Sequence, residues 1–364
     1  MKELVISRDE LQVLINDIYC GDRRYFRGTY PFYGTTLFDL DFKKSEIMNI
    51  VDQQLFEEAR RVRTPRGMDK DDMVHYGQLK DCLLSSGFLN YENEDEVIGW
   101  LRKRRQDSVD PSEGQNFLFL AVDTNLLYYR FISRHMSFKD PDGKPFHDGL
   151  RYMVSDIVGE EISHRIQHKY RGDEISAFRS RFNDKELVGE LLNANDLRGR
   201  KAKLAKIEHD FVKYHLKASR ASGTGSNDKE ANDIAMAKSY GDRAQIGNHI
   251  AYMLTADRDM VGHANVYGMA AMQLVQPTSV PKHLRAHPWA LRNLIYDISA
   301  LFGAFSLEHN EEKITVLGEW KHKTDDDYKK ERMKVKFTND DRYSSVENEL
   351  RRSRSMLAMM NERT

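Results

Sequence analysis

The sequence predicts an α/β protein: a three-layer domain with a mainly parallel central sheet, preceded by an α-helical domain. Three observations predict it. Apolar residues recur at helical spacing through the first 112 residues, and Phe117-Leu118-Phe119-Leu120-Ala121-Val122 is a continuous apolar run of the kind that forms a buried parallel strand. After that run, helix-like and strand-like stretches alternate in β-α-β-α order, which builds a parallel sheet with helices on its faces.

From the amino terminus, Ser7 and Glu10 have capping-box spacing, and Leu11, Leu14, Ile15 and Ile18 follow at helical period, so a helix is expected to about Tyr19. Helical patterns recur over Glu46 to Arg61, Asp71 to Leu84 and Asp95 to Arg105, broken by Thr64-Pro65-Arg66-Gly67 and Ser85-Ser86-Gly87. Residues 1–112 therefore read as a helical domain, ended by a polar linker from Asp107 to Gly114. Residues 113–305 read as the α/β domain. Its elements are the apolar strand, a helix from Asn125 to His135, a turn at Asp140-Pro141-Asp142-Gly143, a strand at Tyr152-Met153-Val154 and a helix from Asp156. A basic helical insertion occupies about 170–225 and ends in Ala221-Ser222-Gly223-Thr224-Gly225-Ser226. The pattern resumes with a helix over Asn232 to Ile246, a strand over His249 to Thr255, a helix after Asp259, a strand over Met269 to Val275 and a helix over Pro288 to Phe302. In residues 306–364, Lys313 to Leu317 and Met333 to Phe337 alternate as a charged β-hairpin, followed by a polar tail.

Composition narrows the function classes. With 56 basic and 57 acidic residues the net charge is -1, so a nucleic-acid site must come from a local patch rather than the whole surface. Only Cys20 and Cys82 are present, which argues against a disulfide framework and a thiolate zinc site and makes the cytoplasm the expected compartment. No apolar stretch approaches the roughly 18 residues of a membrane span.

Four acids fall where a parallel sheet gathers ligands: Asp123 after the first strand, Glu161 in the helix after the second, Asp233 near a helix start, and Asp257 after the strand ending in Thr255. Clustered carboxylates repel and are costly to desolvate, so such a site usually holds a cation as well. All-oxygen donors point to Mg²⁺ or Mn²⁺.

The stretch Phe119-Leu120-Ala121-Val122-Asp123-Thr124-Asn125-Leu126-Leu127 resembles the opening strand and Asp-Thr-Asn turn of PIN-domain nucleases. In the same order, Val154 to Ile162 is similar to that family's second strand and following helix, Asn232-Asp233-Ile234 to its helix start with the third acid, and Thr255-Ala256-Asp257-Arg258-Asp259 to its Thr-x-Asp-x-Asp ending. The resemblance spans about residues 115–305. It implies a metal-dependent endoribonuclease in which Asp123, Glu161, Asp233 and Asp257 are catalytic and bind one or two divalent ions, Asp259 supports them, and Thr124, Asn125 and Thr255 orient the ligands. Glu160 is the register alternative to Glu161, and Asp228 and Asp242 are alternatives to Asp233.

RNA is the expected partner, with homo-oligomerisation left open. Arg198, Arg200, Lys201, Lys203 and Lys206 could track its phosphates, with His209, Phe211 and Tyr214 nearby for stacking, although a charged helix is more often simply solvated. Each acid also has an ordinary explanation, as a helix cap or a solvated helix residue. A catalytically inactive RNA-binding scaffold is the rival reading. A phosphotransferase with Asp123 as nucleophile would want a second Asp two residues on, where Asn125 stands.

Overall fold

The computed structural model describes residues 1–21, 25–66, 68, 72–107, 117–138, 143–191, 195–226, 228–247 and 249–361. The expected linker at 107–114 and turn at 140–143 lie outside these residues, apart from Asp107 and Gly143. In chain order the strands are β1 (Lys2–Ser7), β2 (Tyr25–Tyr30), β3 (Thr35–Asp41), β4 (Glu46–Met48), β5 (Leu118–Val122), β6 (Tyr152–Ser155) and β7 (Ser219–Ala221). They continue with β8 (Ile250–Thr255), β9 (Ala270–Gln273), β10 (His283–Arg285), β11 (Ala304–His309), β12 (Glu312–Leu317) and β13 (Arg332–Phe337). Two compact units divide them: one holds residues 1–89, 169–200 and 280–364, the other residues 90–168 and 201–279.

The first unit is built on an eight-stranded antiparallel sheet in the order β1-β13-β12-β11-β2-β3-β4-β10. The expected hairpin is there as β12 and β13, and β13 alternates cleanly, burying Met333, Val335 and Phe337 on one face while Arg332, Lys334 and Lys336 lie half-buried on the other, where Lys334 and Lys336 pair with Glu190. The helix Pro288–Phe302 matches its expected bounds. It has Pro at its first position, where no amide bond is lost, and is buried over most of its length. Asp297 in that helix is buried and accepts a hydrogen bond from Ser85 Oγ at 2.8 Å.

The helical front is corrected by the structure, because β1 to β4 run through residues 2–48. Helices do form at Leu11–Cys20, Gln53–Arg63, Tyr76–Ser86 and Glu94–Asp107. Strands β2, β3 and β4 pair with their neighbours in sequence, whereas β1 has its partner in the remote β13 and β2 takes β11 on its other edge. Glu46 to Met48, expected to be helical, is a strand, and the helix starts only after Asp52, whose carboxylate accepts from the Leu55 amide at 2.8 Å. The carboxyl-terminal tail is a helix, Asp340–Asn361.

The second unit carries a five-stranded, wholly parallel sheet in the order β7-β6-β5-β8-β9. Every residue of β5 is buried, as expected of a central strand covered on both faces. Numbered within this sheet the order is third, second, first, fourth, fifth. Winding therefore proceeds one way from β5 through β6 to β7 and the other way through β8 to β9. The reversal falls between β5 and β8, and the crevice outside their carboxyl ends is where open α/β sheets bind ligands. Strand β7 falls inside the stretch that the sequence pattern assigns to the basic insertion. It is only three residues long and includes the exposed Arg220, so no apolar run announced it. No helix among the described residues is long and apolar enough to cross a membrane.

Candidate active site

Strand β5 delivers Asp123 directly to the point of reversal. The residue is 3 % exposed and stands at the amino end of the short helix Thr124–Tyr128, with no side-chain capping bond of its own. Its Oδ2 accepts from Thr255 Oγ1 at 2.6 Å and from Asn125 Nδ2 at 3.2 Å. Thr255 ends the neighbouring β8, and its hydroxyl in turn accepts from the Asp257 amide at 2.9 Å. One chain of hydrogen bonds thus runs from Asp123 through Thr255 to the backbone of Asp257. Behind it, buried Tyr240 donates to the Val122 carbonyl at 2.6 Å and accepts from the Ser155 amide at 3.0 Å, tying the ends of β5 and β6 together.

The other acids approach from the helices. Glu161, in the helix Asp156–Ile166, accepts from Thr124 Oγ1 at 2.9 Å, one residue from Asp123. Glu160 points elsewhere, with its Oε2 3.4 Å from the Gly225 amide. Asp233 is half-buried in the helix Lys229–Ile246, whose cap is Asp228, bonded to the Ala231 amide at 2.8 Å. Asp242 is exposed nine residues farther along, about half a rotation around the helix from Asp233. Glu161 thus bonds beside Asp123 while Glu160 bonds to the Gly225 backbone, and Asp228 and Asp233 line one cavity that Asp242 does not. Asp257 caps the helix Arg258–Val266 through the Asp259 amide at 3.0 Å, and exposed Asp259 lines a cavity of about 740 Å³ with Asp228, Lys229, Glu230, Asp233 and His263.

These acids act on one another. Burial pushes the Asp123 carboxyl up from 3.8 to about 6, against the hydrogen bonds of Thr255 and Asn125, and the charge of Asp233 adds to the rise. Asp233 is raised as well, first by burial and then by Asp257 and Glu161, with Lys229 opposing. Two side-chain cations meet this excess negative charge. Lys229 Nζ lies 3.5 Å from Asp257 Oδ2, and Arg165 Nη2 lies 2.7 Å from Glu161 Oε1.

By chemistry the donor set fits a hard divalent cation, since it is all oxygen and its members disfavour each other's charge. Among the described residues, however, no group of three or more His, Cys, Asp or Glu side chains is arranged to hold a metal ion. Two of the four acids, Asp257 and Glu161, are turned to Lys229 and Arg165 instead. His164 and His168, one turn apart, stack edge to face at 5.8 Å.

An acid whose folded value lies above its unfolded one stabilises the fold below the unfolded value and loses that contribution as pH rises through the folded value. For Asp123 the window runs from 3.8 to about 6, so its charge at neutral pH opposes folding by on the order of 3 kcal/mol. Metal-free Asp123→Asn is accordingly expected to melt no lower than the parent at about pH 8, with any advantage gone by about pH 4. Thermal melts in EDTA at the two pH values check this, and a variant that melts well below the parent at the higher pH would contradict it.

The basic residues separate. Arg200 is a core residue of the first unit rather than a surface cation: it is 3 % exposed and donates from Nε to the Leu301 carbonyl at 2.9 Å and from Nη1 to the Asn195 carbonyl at 3.2 Å. That burial removes it from the expected RNA contacts. Arg198 lies 3.5 Å from Asp72 in the same unit. In the second unit Lys206 pairs with Asp210, Lys203 is half-buried, and Lys201 lies over the rings of Tyr128 and Tyr129 at 5.5 and 5.7 Å. His209 is buried, Phe211 stacks on His215, and Tyr214 is exposed.

Sequence reasoning passed over Tyr128, Arg165, Lys229 and Tyr240. Arg165 did carry a signal, standing four residues after Glu161, the spacing that pairs opposite charges along a helix. Nothing in the sequence marks Tyr240. No protein-family model matches this chain, and no curated protein matches it.

Proposed function

We propose that the second unit is a PIN-like, metal-dependent endoribonuclease that hydrolyses RNA phosphodiester bonds. The observation that carries this reading is the meeting of Asp123 and the Thr255–Asp257 turn at the winding reversal of a parallel sheet, with Glu161 and Asp233 brought into their electrostatic field. The order of these acids along the chain, and their positions after successive strands, match the family the sequence resembles.

Asp123, Asp233, Asp257 and Glu161 are the residues that would hold Mg²⁺ or Mn²⁺, with Asp259 at the margin. Such an ion supplies an activated water and charge stabilisation for in-line attack at phosphorus. The protein's part is to place and discharge. Thr255 and Asn125 fix one carboxylate oxygen of Asp123, and Thr124 fixes one of Glu161. Lys229 and Arg165 balance the acids in the free protein. Because burial already favours the protonated form of Asp123, a proton competes with a cation at that carboxylate in mildly acidic solution.

The deciding experiment incubates the full chain with single-stranded RNA and single-stranded DNA in Mg²⁺, Mn²⁺ or EDTA. Internal cleavage of RNA that needs the metal and stops in EDTA is the expected result. RNA binding without cleavage under every metal would leave the scaffold reading in place of the nuclease.

A further inference from the structure

A surface of acids repels a phosphodiester, so a nucleic-acid strand lying across Asp123 needs positive charge close beside it. The 740 Å³ cavity on the Asp233 side does not provide it, because Asp228, Glu230, Asp233 and Asp259 outnumber Lys229 and Arg258 there. The Glu161 side of the site differs. The helix that starts beside Asp123 ends at Tyr128, five residues and about 7.5 Å along the helix axis. Over the half-buried Tyr128 ring lie two cations from separate elements, the Arg165 guanidinium at 5.6 Å and the Lys201 ammonium at 5.5 Å, and Lys201 also lies over Tyr129.

We propose that Arg165 and Lys201, braced on Tyr128, form a clamp for a backbone phosphate of a single-stranded nucleic acid next to the acidic site. The clamp rests on the nuclease reading only for its purpose, because the binding it describes needs no cleavage. A cation held against an aromatic face has already lost part of its rotamer freedom, so less entropy remains to be lost when phosphate binds. Arg165 suits the task because its guanidinium has five N–H donors. One end can stay on Glu161 at 2.7 Å while the other end receives phosphate oxygens, linking the strand to the acids. Its side chain is 49 % exposed.

The test is fluorescence anisotropy with short labelled single-stranded RNA and DNA, over a salt series in EDTA, on the full chain carrying Asp123→Asn so that cleavage cannot erode the signal. Arg165→Gln and Lys201→Gln are each expected to weaken binding about fivefold to tenfold and to lower the salt slope by about one. Tyr128→Leu weakens it about threefold and Tyr128→Phe leaves it unchanged, since the phenylalanine ring keeps the brace. Arg165→Lys recovers the slope but not the full affinity, because a point charge replaces a fork. The loss is equal on RNA and DNA, which present the same phosphate, and a loss on RNA alone would assign these side chains to the sugar and overturn the clamp. Unchanged affinity and slope in both glutamine variants, or no binding by the parent, overturns it too. The two readings fail separately: a parent that cleaves RNA while the variants bind normally removes the clamp alone, and a parent that never cleaves while the slope falls removes the nuclease alone.

Discussion

Asp123→Asn and Asp257→Asn, made separately, are expected to lower metal-dependent RNA cleavage by at least about a hundredfold, the scale of losing a major electrostatic contributor at a transition state. Asparagine keeps the shape of the acid in both places. At 123 its carbonyl oxygen can still accept from Thr255 and Asn125, and at 257 it can still cap the helix Arg258–Val266 through the Asp259 amide. Only the charge that would offset a divalent cation is lost, so the fold and the affinity for RNA in EDTA should survive. Affinity in EDTA can even rise, because each variant removes one negative charge facing the phosphates. Single-turnover cleavage in Mn²⁺ beside anisotropy in EDTA separates the two effects. Near-parental, EDTA-sensitive cleavage by one variant rejects that residue's role, and by both variants rejects the site.

The largest expected loss of stability lies in the other unit, at Arg200→Met. Methionine fills much of the volume but leaves the carbonyls of buried Leu301 and Asn195 without the donors that now reach them. Each bond to a charged donor is worth about 1.5–3 kcal/mol, so a loss of about 3–6 kcal/mol is expected from the two. Arg200→Lys should recover only a minor part, since one ammonium cannot reproduce a fork aimed at two carbonyls. Urea unfolding of parent and variants measures the difference. A midpoint shift close to zero in Arg200→Met would return this residue to the surface role its neighbours in sequence suggested.

Arg200 also shows where sequence reading stops. It stands in a run with Arg198, Lys201, Lys203 and Lys206, and charge in a run reads as solvated or phosphate-facing. What the run cannot show is which cation meets buried carbonyls, because those belong to residues 195 and 301. The same limit explains the missed front strands. The aromatic-rich stretches that become β2 and β3 were legible in principle, with Gly34 at φ +66° marking the turn between them. By contrast β1 makes its ladder with a strand more than three hundred residues away. The parallel sheet was the easier part. β5 is an unbroken apolar run, and the acids following β5 and β8 stand at strand ends, where period and position alone place them. Hydrogen bonds such as Thr255 to Asp123 need the β5–β8 pairing before they can be imagined.

The remote pairing of β1 has a consequence for synthesis. A chain made from its amino terminus produces β1 to β4 first, yet β1 has no partner until β13, and β2, already paired with β3, keeps its other edge open until β11. The parallel sheet needs nothing after residue 279 and can assemble while the chain is still being extended. Until β11 to β13 emerge, the early strands have open edges, the form in which strands pair with the wrong neighbour. Chaperone demand should therefore fall on the first and last hundred or so residues, on the order of a domain's length each. A chain stalled before β13 is expected to be caught by quality control even with its acidic site complete.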